Sequence, residues 1–288
     1  CRGAMDVARV FALARWTAFG SDKITVDIVP LFETIDDLMG SGASMNTLYS
    51  DHNYRTHLTQ RSSKQTIMLG FSDGTKDGGY MSANWNIYRA KENLTRISIQ
   101  NEIDVLFFDG RGGPPARGGG NTHNFYASLG QNIASSQIQL TVQGQTISSN
   151  FGTSQSAQFN MEQLITAGLE NSLMVDEAKV LQPNERSILE QLGDISLKHY
   201  TLLKENQLFT EFLEEMSPLN YYGMANIGSR PSKRGQSEKL ELDDLRAIPF
   251  VGAWSQLKMN IPGFYGLGKA LEELSEAGKL HEVQSLYK

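Results

Sequence analysis

The chain has 288 residues, a net charge of −6, 40% hydrophobic residues and 20% charged ones. That balance belongs to a folded chain with a sizeable core, and the acidic excess argues against a general nucleic-acid binder. A single cysteine, Cys1, excludes an internal disulfide and a cysteine-based zinc site. No apolar run is long enough to cross a bilayer, and no secretory signal pattern opens the sequence. The cysteine usage fits a reducing, cytoplasmic setting. The sequence starts on helical pattern without methionine, as an excised piece of a longer protein would.

In chain order, Asp6 to Ala18 places Val7, Val10, Phe11 and Ala14 at helical spacing, with Gly20 as a stop. Ile24 to Phe32 reads as a strand ending at Glu33, and Ile35 to Leu58 as short helices. Thr66 to Phe71 predicts a second strand that ends at Ser72-Asp73, followed by helix from Gly79 to Leu94. Ile103 to Phe108 is a third strand, and Ile138 to Ile147 a weaker fourth. Apolar strands separated by helical stretches predict parallel βα units. After Ser156 the pattern turns helical over Ala157–Met174, Asn184–Met216 and Leu267–Tyr287. The fold class expected is α/β and predominantly helical. Residues 1–155 would form a partial β/α barrel of about four parallel strands, where a closed barrel has eight. Residues 156–288 would form a helical region, joined with the first in one structural unit.

The third strand runs into Asp109-Gly110-Arg111-Gly112-Gly113-Pro114-Pro115-Ala116-Arg117-Gly118-Gly119-Gly120. Glycines admit close backbone approach, and guanidinium groups grip the fork of a phosphate or carboxylate. An anion-holding loop at a strand end is one reading. A flexible connector and an RNA-binding segment of Arg-Gly-Gly type are the others. Glu33, Asp73 and Asp109 each finish a predicted strand. Acids there cap helices, but reactive groups of β/α barrels also sit at the carboxyl ends of strands. Lys76 beside Asp73, and Arg111 beside Asp109, favour a charged site. A second basic loop, Asn226 to Gly235, carries Arg230, and Arg246 follows in Leu245-Arg246-Ala247-Ile248-Pro249. His123 reads as a brace for the arginine loop.

Taken together, these motifs resemble the phosphoenolpyruvate carboxylase family. The segments that carry the resemblance are Val29-Pro30-Leu31-Phe32-Glu33-Thr34-Ile35-Asp36-Asp37-Leu38 and Met68-Leu69-Gly70-Phe71-Ser72-Asp73-Gly74-Thr75-Lys76-Asp77-Gly78-Gly79. The arginine loop, Gly228-Ser229-Arg230-Pro231 and Leu245 to Pro249 follow in the family's order, across residues 24 to 268. Only the carboxyl-terminal part of a much longer enzyme is matched. The resemblance implies a β/α barrel embedded in helices, and addition of bicarbonate to phosphoenolpyruvate with Mg²⁺ or Mn²⁺, giving oxaloacetate and phosphate. It implies a homotetrameric parent that takes neither nucleic acid nor membrane as a partner.

By the same resemblance Glu33 and Asp73 are the metal-ligating carboxylates, and Lys76 is a lysine beside the metal. Arg111, Arg117, Arg230 and Arg246 are the functional arginines, with Arg111 and Arg246 also contacting substrate. Leu31 and Met68 line the pocket for its methylene end. Many members have histidine where this chain has Asp109. Asp109 is thus a catalytic candidate for which a protonated carboxyl, a charge offset by Arg111 or the metal, and a tolerated variation between lineages are all open. The family's essential histidine and the earlier half of its barrel are not in these residues, so the chain alone is expected to be inactive. The rival from another class is a noncatalytic helical module whose arginine loop holds RNA or another anion. Another barrel enzyme acting on phosphoenolpyruvate or pyruvate is a second rival. The paired acids with Lys76 argue against the first, and the late arginines against the second.

Overall fold

A computed structural model describes residues 1–17, 23–142, 145–173, 180–224, 241–242 and 245–286. The chain divides into two compact units, one made of Cys1–Gly70, Asn86–Arg111 and Gly120–Val180, the other of Phe71–Trp85, Gly112–Gly119 and Leu181–Lys288.

The first unit is built on a parallel sheet of β1 (Leu31–Phe32), β2 (Lys64–Gly70), β3 (Asp104–Gly110) and β4 (Gln139–Leu140), in that spatial order. The expected four parallel strands are therefore present. Around them lie α1 (Ala4–Thr17), α2 (Ile35–Ser50) and α3 (His52–Gln60). The long helix α4 (Phe71–Gln100) gives this unit its second half, from Asn86 onward. α5 (Thr122–Ala127), α6 (Gln145–Phe151) and α7 (Ser154–Leu173) complete it.

Helix α2 starts where it does because Thr34 and Asp37 form a reciprocal capping box, with Asp37 N donating to Thr34 Oγ1 at 3.1 Å and Thr34 N to Asp37 Oδ2 at 3.2 Å. Packing is close along α2, where a Cβ on Gly42 would meet the Asn93 side chain at 2.2 Å. Tyr49 and Ser98 share a buried hydrogen bond of 3.2 Å.

Two strand expectations need correction. Ile24 to Pro30 is not strand; only Leu31 and Phe32 pair, with Met68 and Leu69. Pro30 has no N–H for a ladder, although its carbonyl accepts Met68 N at 2.8 Å. The carbonyl of Ile28 is instead taken by the Gln65 side chain at 3.0 Å, and Val26 is 60% exposed. The fourth strand is likewise two residues long rather than ten, and α6 starts at Gln145. Its partner β3 ends at Gly110, so no ladder is left to extend it.

Helix α4 begins at Phe71, eight residues before the expected start at Gly79. Asp73, in the first turn, suits the positive end of the helix dipole. Thr75 Oγ1 bonds back to Phe71 O at 2.8 Å. Gly79 marks an interruption instead, at φ 76° and ψ 166°, a backbone conformation that L side chains avoid.

The second unit takes the opening of α4, a 3₁₀ turn at Pro115–Arg117, and α8 (Pro183–Lys204), α9 (Phe209–Met216) and α10 (Leu219–Met224). It continues with α11 (Ala247–Gln256), α12 (Ile261–Phe264), α13 (Leu267–Glu276) and α14 (Leu280–Leu286). One apolar cluster joins Phe209, Leu213, Leu219, Phe250 and Trp254 with Ala116 of the arginine loop. Another joins Ile188 and Leu192 of α8 to Ala270 and Leu274 of α13, with Met81 packed on it. The single pattern read over Asn184–Met216 is broken after Lys204, where Asn206 accepts the Leu208 and Phe209 amides. Gly278, at φ 73°, divides the last one; Tyr287 and Met174 lie outside the described residues.

Candidate active site

In the first unit, Leu31, Met68 and Phe108 are register partners across three adjacent strands and share one sheet face. Phe32, Leu69 and Asp109 are the register partners on the opposite face. Glu33 follows β1 directly and is held between that strand and the capping box at Thr34. The end of β2 comes so near that a Cβ on Gly70 would lie 2.8 Å from Glu33 Cγ and 3.2 Å from its Cα. A glycine is required there for contact, not for freedom.

Asp109 does not sit beyond a strand end. It is inside β3, 1% exposed, on the face away from Leu31 and Met68. Its Oδ2 accepts Lys91 Nζ at 2.8 Å and Tyr126 OH at 2.8 Å. Lys91 is also 1% exposed, and its ammonium lies 5.3 Å from the ring centroids of Phe107 and Phe125. Burial draws the Lys91 pKa down, and the Asp109 charge and hydrogen bond oppose that. Burial, then the Asp109 charge and hydrogen bond, push the Tyr126 phenol up, so it stays a donor. The charge of Asp109 is thus balanced by Lys91, a residue the motif reading did not single out. A signal for it was legible: Ile87, Ala90, Lys91 and Leu94 follow the spacing of a buried helix stripe, and one of the four is charged.

Arg111 is 7% exposed, with its guanidinium carbon 4.1 Å from the Phe125 centroid. Its carbonyl accepts Thr141 Oγ1 at 3.2 Å. His123 Nε2 stands 3.6 Å from Glu170 Oε1, linking α5 to α7.

In the second unit the Gly112–Gly119 segment is a closed loop rather than a connector. Gly112 N donates to Arg117 O at 3.1 Å, and Arg117 N and Gly119 N both donate to Pro114 O at 2.9 Å. A Cβ on Gly112 would meet Arg117 Cβ at 2.4 Å. Gly118 is left-handed at φ 71°, the conformation that ends the 3₁₀ turn. Arg117 Nε donates to Ser72 Oγ at 3.3 Å. Burial lowers the Arg117 pKa, while the charge of Asp73 raises it, so these two side chains attract one another.

Lys76 Nζ donates to Leu242 O at 2.5 Å, and Leu245 N donates to the same carbonyl at 3.2 Å. That turn leads into Arg246, the half-buried N-cap residue of α11. Arg230 and the loop around it lie outside the described residues.

Among the described residues no three His, Cys, Asp or Glu side chains gather as an all-protein metal cage. A hard divalent cation does not require one. Mg²⁺ is commonly held by one or two carboxylates, with water and substrate oxygens completing its shell. Glu33 in the first unit and Asp73 in the second each carry an oxygen donor of that kind.

A parallel α/β scaffold bearing carboxylates after its strands and a closed glycine-arginine loop defines the class of molecule. Comparison with known proteins specifies it. The family described as phosphoenolpyruvate carboxylase matches residues 1–288. The phosphoenolpyruvate carboxylase of Corynebacterium glutamicum is 39% identical over 270 residues, covering 91% of this chain and 29% of that protein. Those of Nitrosomonas europaea (38% over 292 residues) and Mycobacterium leprae (35% over 290 residues) cover 99% of this chain and 31% of their own. The chain belongs to the phosphoenolpyruvate carboxylase family. It spans less than a third of the length of these relatives. Family membership gives no support to the RNA- or anion-binding module. No described helix is long and apolar enough to cross a membrane.

Proposed function

We propose that these residues supply the metal- and anion-binding part of a phosphoenolpyruvate carboxylase, and that the 288-residue chain alone does not turn over. The parent reaction joins phosphoenolpyruvate and bicarbonate to give oxaloacetate and phosphate. The observation that carries the reading is the family match across the whole chain, with the arginine loop closed and internally bonded. A partial β/α barrel, completed by residues outside this chain, and a tetrameric parent belong to the same proposal.

Phosphoryl transfer depends chiefly on positioning and charge neutralisation. Arg111, Arg117, Arg230 and Arg246 would hold the phosphate and carboxylate oxygens, with Lys76 adding positive charge. Glu33 and Asp73 would hold Mg²⁺ or Mn²⁺, which supplies Lewis-acid polarisation of substrate oxygens when bound. A bicarbonate oxygen attacks phosphorus and the bond to the enol oxygen breaks, leaving carboxyphosphate and the enolate of pyruvate. Carboxyphosphate divides into CO₂ and phosphate, and the enolate carbon attacks CO₂. Leu31 and Met68 would pack the methylene end and keep water from protonating that carbon.

The test is oxaloacetate formation in a coupled assay. The isolated chain should give none. The same residues, spliced in place of the matching segment of the C. glutamicum enzyme, should restore turnover, with Arg111→Gln and Arg246→Gln each abolishing it. Turnover by the isolated chain would overturn the predicted inactivity. A working chimera indifferent to both arginine substitutions would overturn the site assignment.

A further inference from the structure

We infer that Lys91, Asp109 and Tyr126 are positioning residues that fix the guanidinium of Arg111, acting from the sheet face opposite Leu31 and Met68. The inference rests on the reading of Arg111 as an anion ligand and extends it to three side chains behind the ligand.

The geometry is a brace with two arms. Asp109 is on β3, two residues before Arg111, so its carboxylate is fixed relative to the backbone from which Arg111 projects. One arm is the Tyr126 hydroxyl, bonded to Asp109 Oδ2 at 2.8 Å, which ties α5 to the strand end. Phe125, the neighbour of Tyr126 on α5, puts its ring 4.1 Å from the Arg111 guanidinium carbon. Phe125 and Tyr126 meet edge to face at 5.1 Å and 83°, so the plate beneath Arg111 follows the ring that Asp109 holds. The other arm is Lys91, whose ammonium reaches Asp109 Oδ2 and lies near the Phe125 and Tyr126 rings at 5.3 and 5.8 Å.

Charge makes the arrangement specific. A buried carboxylate two residues from Arg111 would compete with any bound anion for the guanidinium. Lys91 balances that carboxylate inside the fold. Buried ion pairs contribute little net stability compared with apolar groups of the same volume, so stability alone gives little account of this one. Aromatic plates fix planar guanidinium groups, and misaiming such a group by a fraction of its hydrogen-bond length weakens a charge-assisted contact.

Two gentle variants of the full chain separate positioning from folding. Tyr126→Phe removes one hydrogen bond and keeps the ring, and Lys91→Met with Asp109→Leu replaces the pair by apolar groups. With inorganic phosphate as the probe, each folded variant should bind about tenfold more weakly than the original chain, as for a weakened charge-assisted contact. Each should also shift the Arg111 Nε–H resonance, which the Phe125 ring current marks. In an Arg111→Gln background neither should weaken phosphate further. Unchanged affinity and an unmoved Arg111 resonance in both folded variants would overturn the inference, as would an equal loss in the Arg111→Gln background. If Arg111→Gln alone leaves phosphate binding intact, the ligand reading fails. The Arg111 resonance then still decides whether the brace positions that side chain: movement supports it and no movement overturns it.

Discussion

Gly119→Ala tests whether the arginine loop is a closed structure or a flexible link. A Cβ there would lie 2.0 Å from Gly113 O and 2.3 Å from Gly112 O, where contacts under 3.0 Å are essentially never seen. The Gly113 carbonyl would have to retreat by about 1 Å, the difference between 3.0 and 2.0 Å, and it is backbone without a flexible end that can swing away. That movement strains the bonds Gly119 N to Pro114 O and Gly112 N to Arg117 O, now 2.9 and 3.1 Å. Overpacking costs about 1–3 kcal/mol and each net hydrogen bond about 0.5–1.5 kcal/mol. With both hydrogen bonds counted, the sum is about 2–6 kcal/mol, a large share of a typical domain's stability of about 5–15 kcal/mol. Urea unfolding reads the loss, and hydrogen exchange at the Gly112 and Gly119 amides should quicken. A variant within about 0.5 kcal/mol of the original, the range of ordinary surface substitutions, would refute the closed loop.

Gly40 gives the opposite sign: it lies inside α2 with nothing within 4 Å of its Cβ position, so Gly40→Ala should stabilise by up to about 1 kcal/mol in the same unfolding experiment. Gly70→Ala should push Glu33 aside through the 2.8 Å contact, seen as weaker Mn²⁺ binding; unchanged binding would separate Glu33 from the metal. His57 is buried against Phe11 and Tyr54, and its pKa is lowered by burial and then by Arg61, with Asp27 opposing. The unfolded chain therefore binds this proton first as pH falls below about 6.5. Its contribution is complete above that pH and declines as pH drops toward the folded pKa. His57→Phe should flatten that slope in unfolding midpoints taken across the window, and an unaltered slope would exclude His57 as its source.

The parallel strands were legible because Ile67, Leu69, Val105 and Phe107 form apolar runs between helical patterns, and all four are buried. Strand lengths were not. Ile24 to Pro30 has β-favouring residues, but hydrogen bonding by Gln65 and the missing N–H of Pro30 end the pairing at Leu31, which no local pattern encodes. Gly-rich composition disguised the start of α4: Gly74 and Gly78 fall before the expected start at Gly79, yet both sit in the helix. Motif order sufficed to propose Glu33, Asp73 and the arginines. The motif could not reveal what Asp109 faces, because its partners Lys91 and Tyr126 come from α4 and α5 and meet it only through the fold.

Manganese binding followed by electron paramagnetic resonance addresses the proposed metal–anion site most directly. The account predicts that the chain takes up Mn²⁺ and that Glu33→Gln and Asp73→Asn each weaken uptake about tenfold or more, as for loss of a ligating carboxylate. Absence of binding, or binding indifferent to both substitutions, would contradict it.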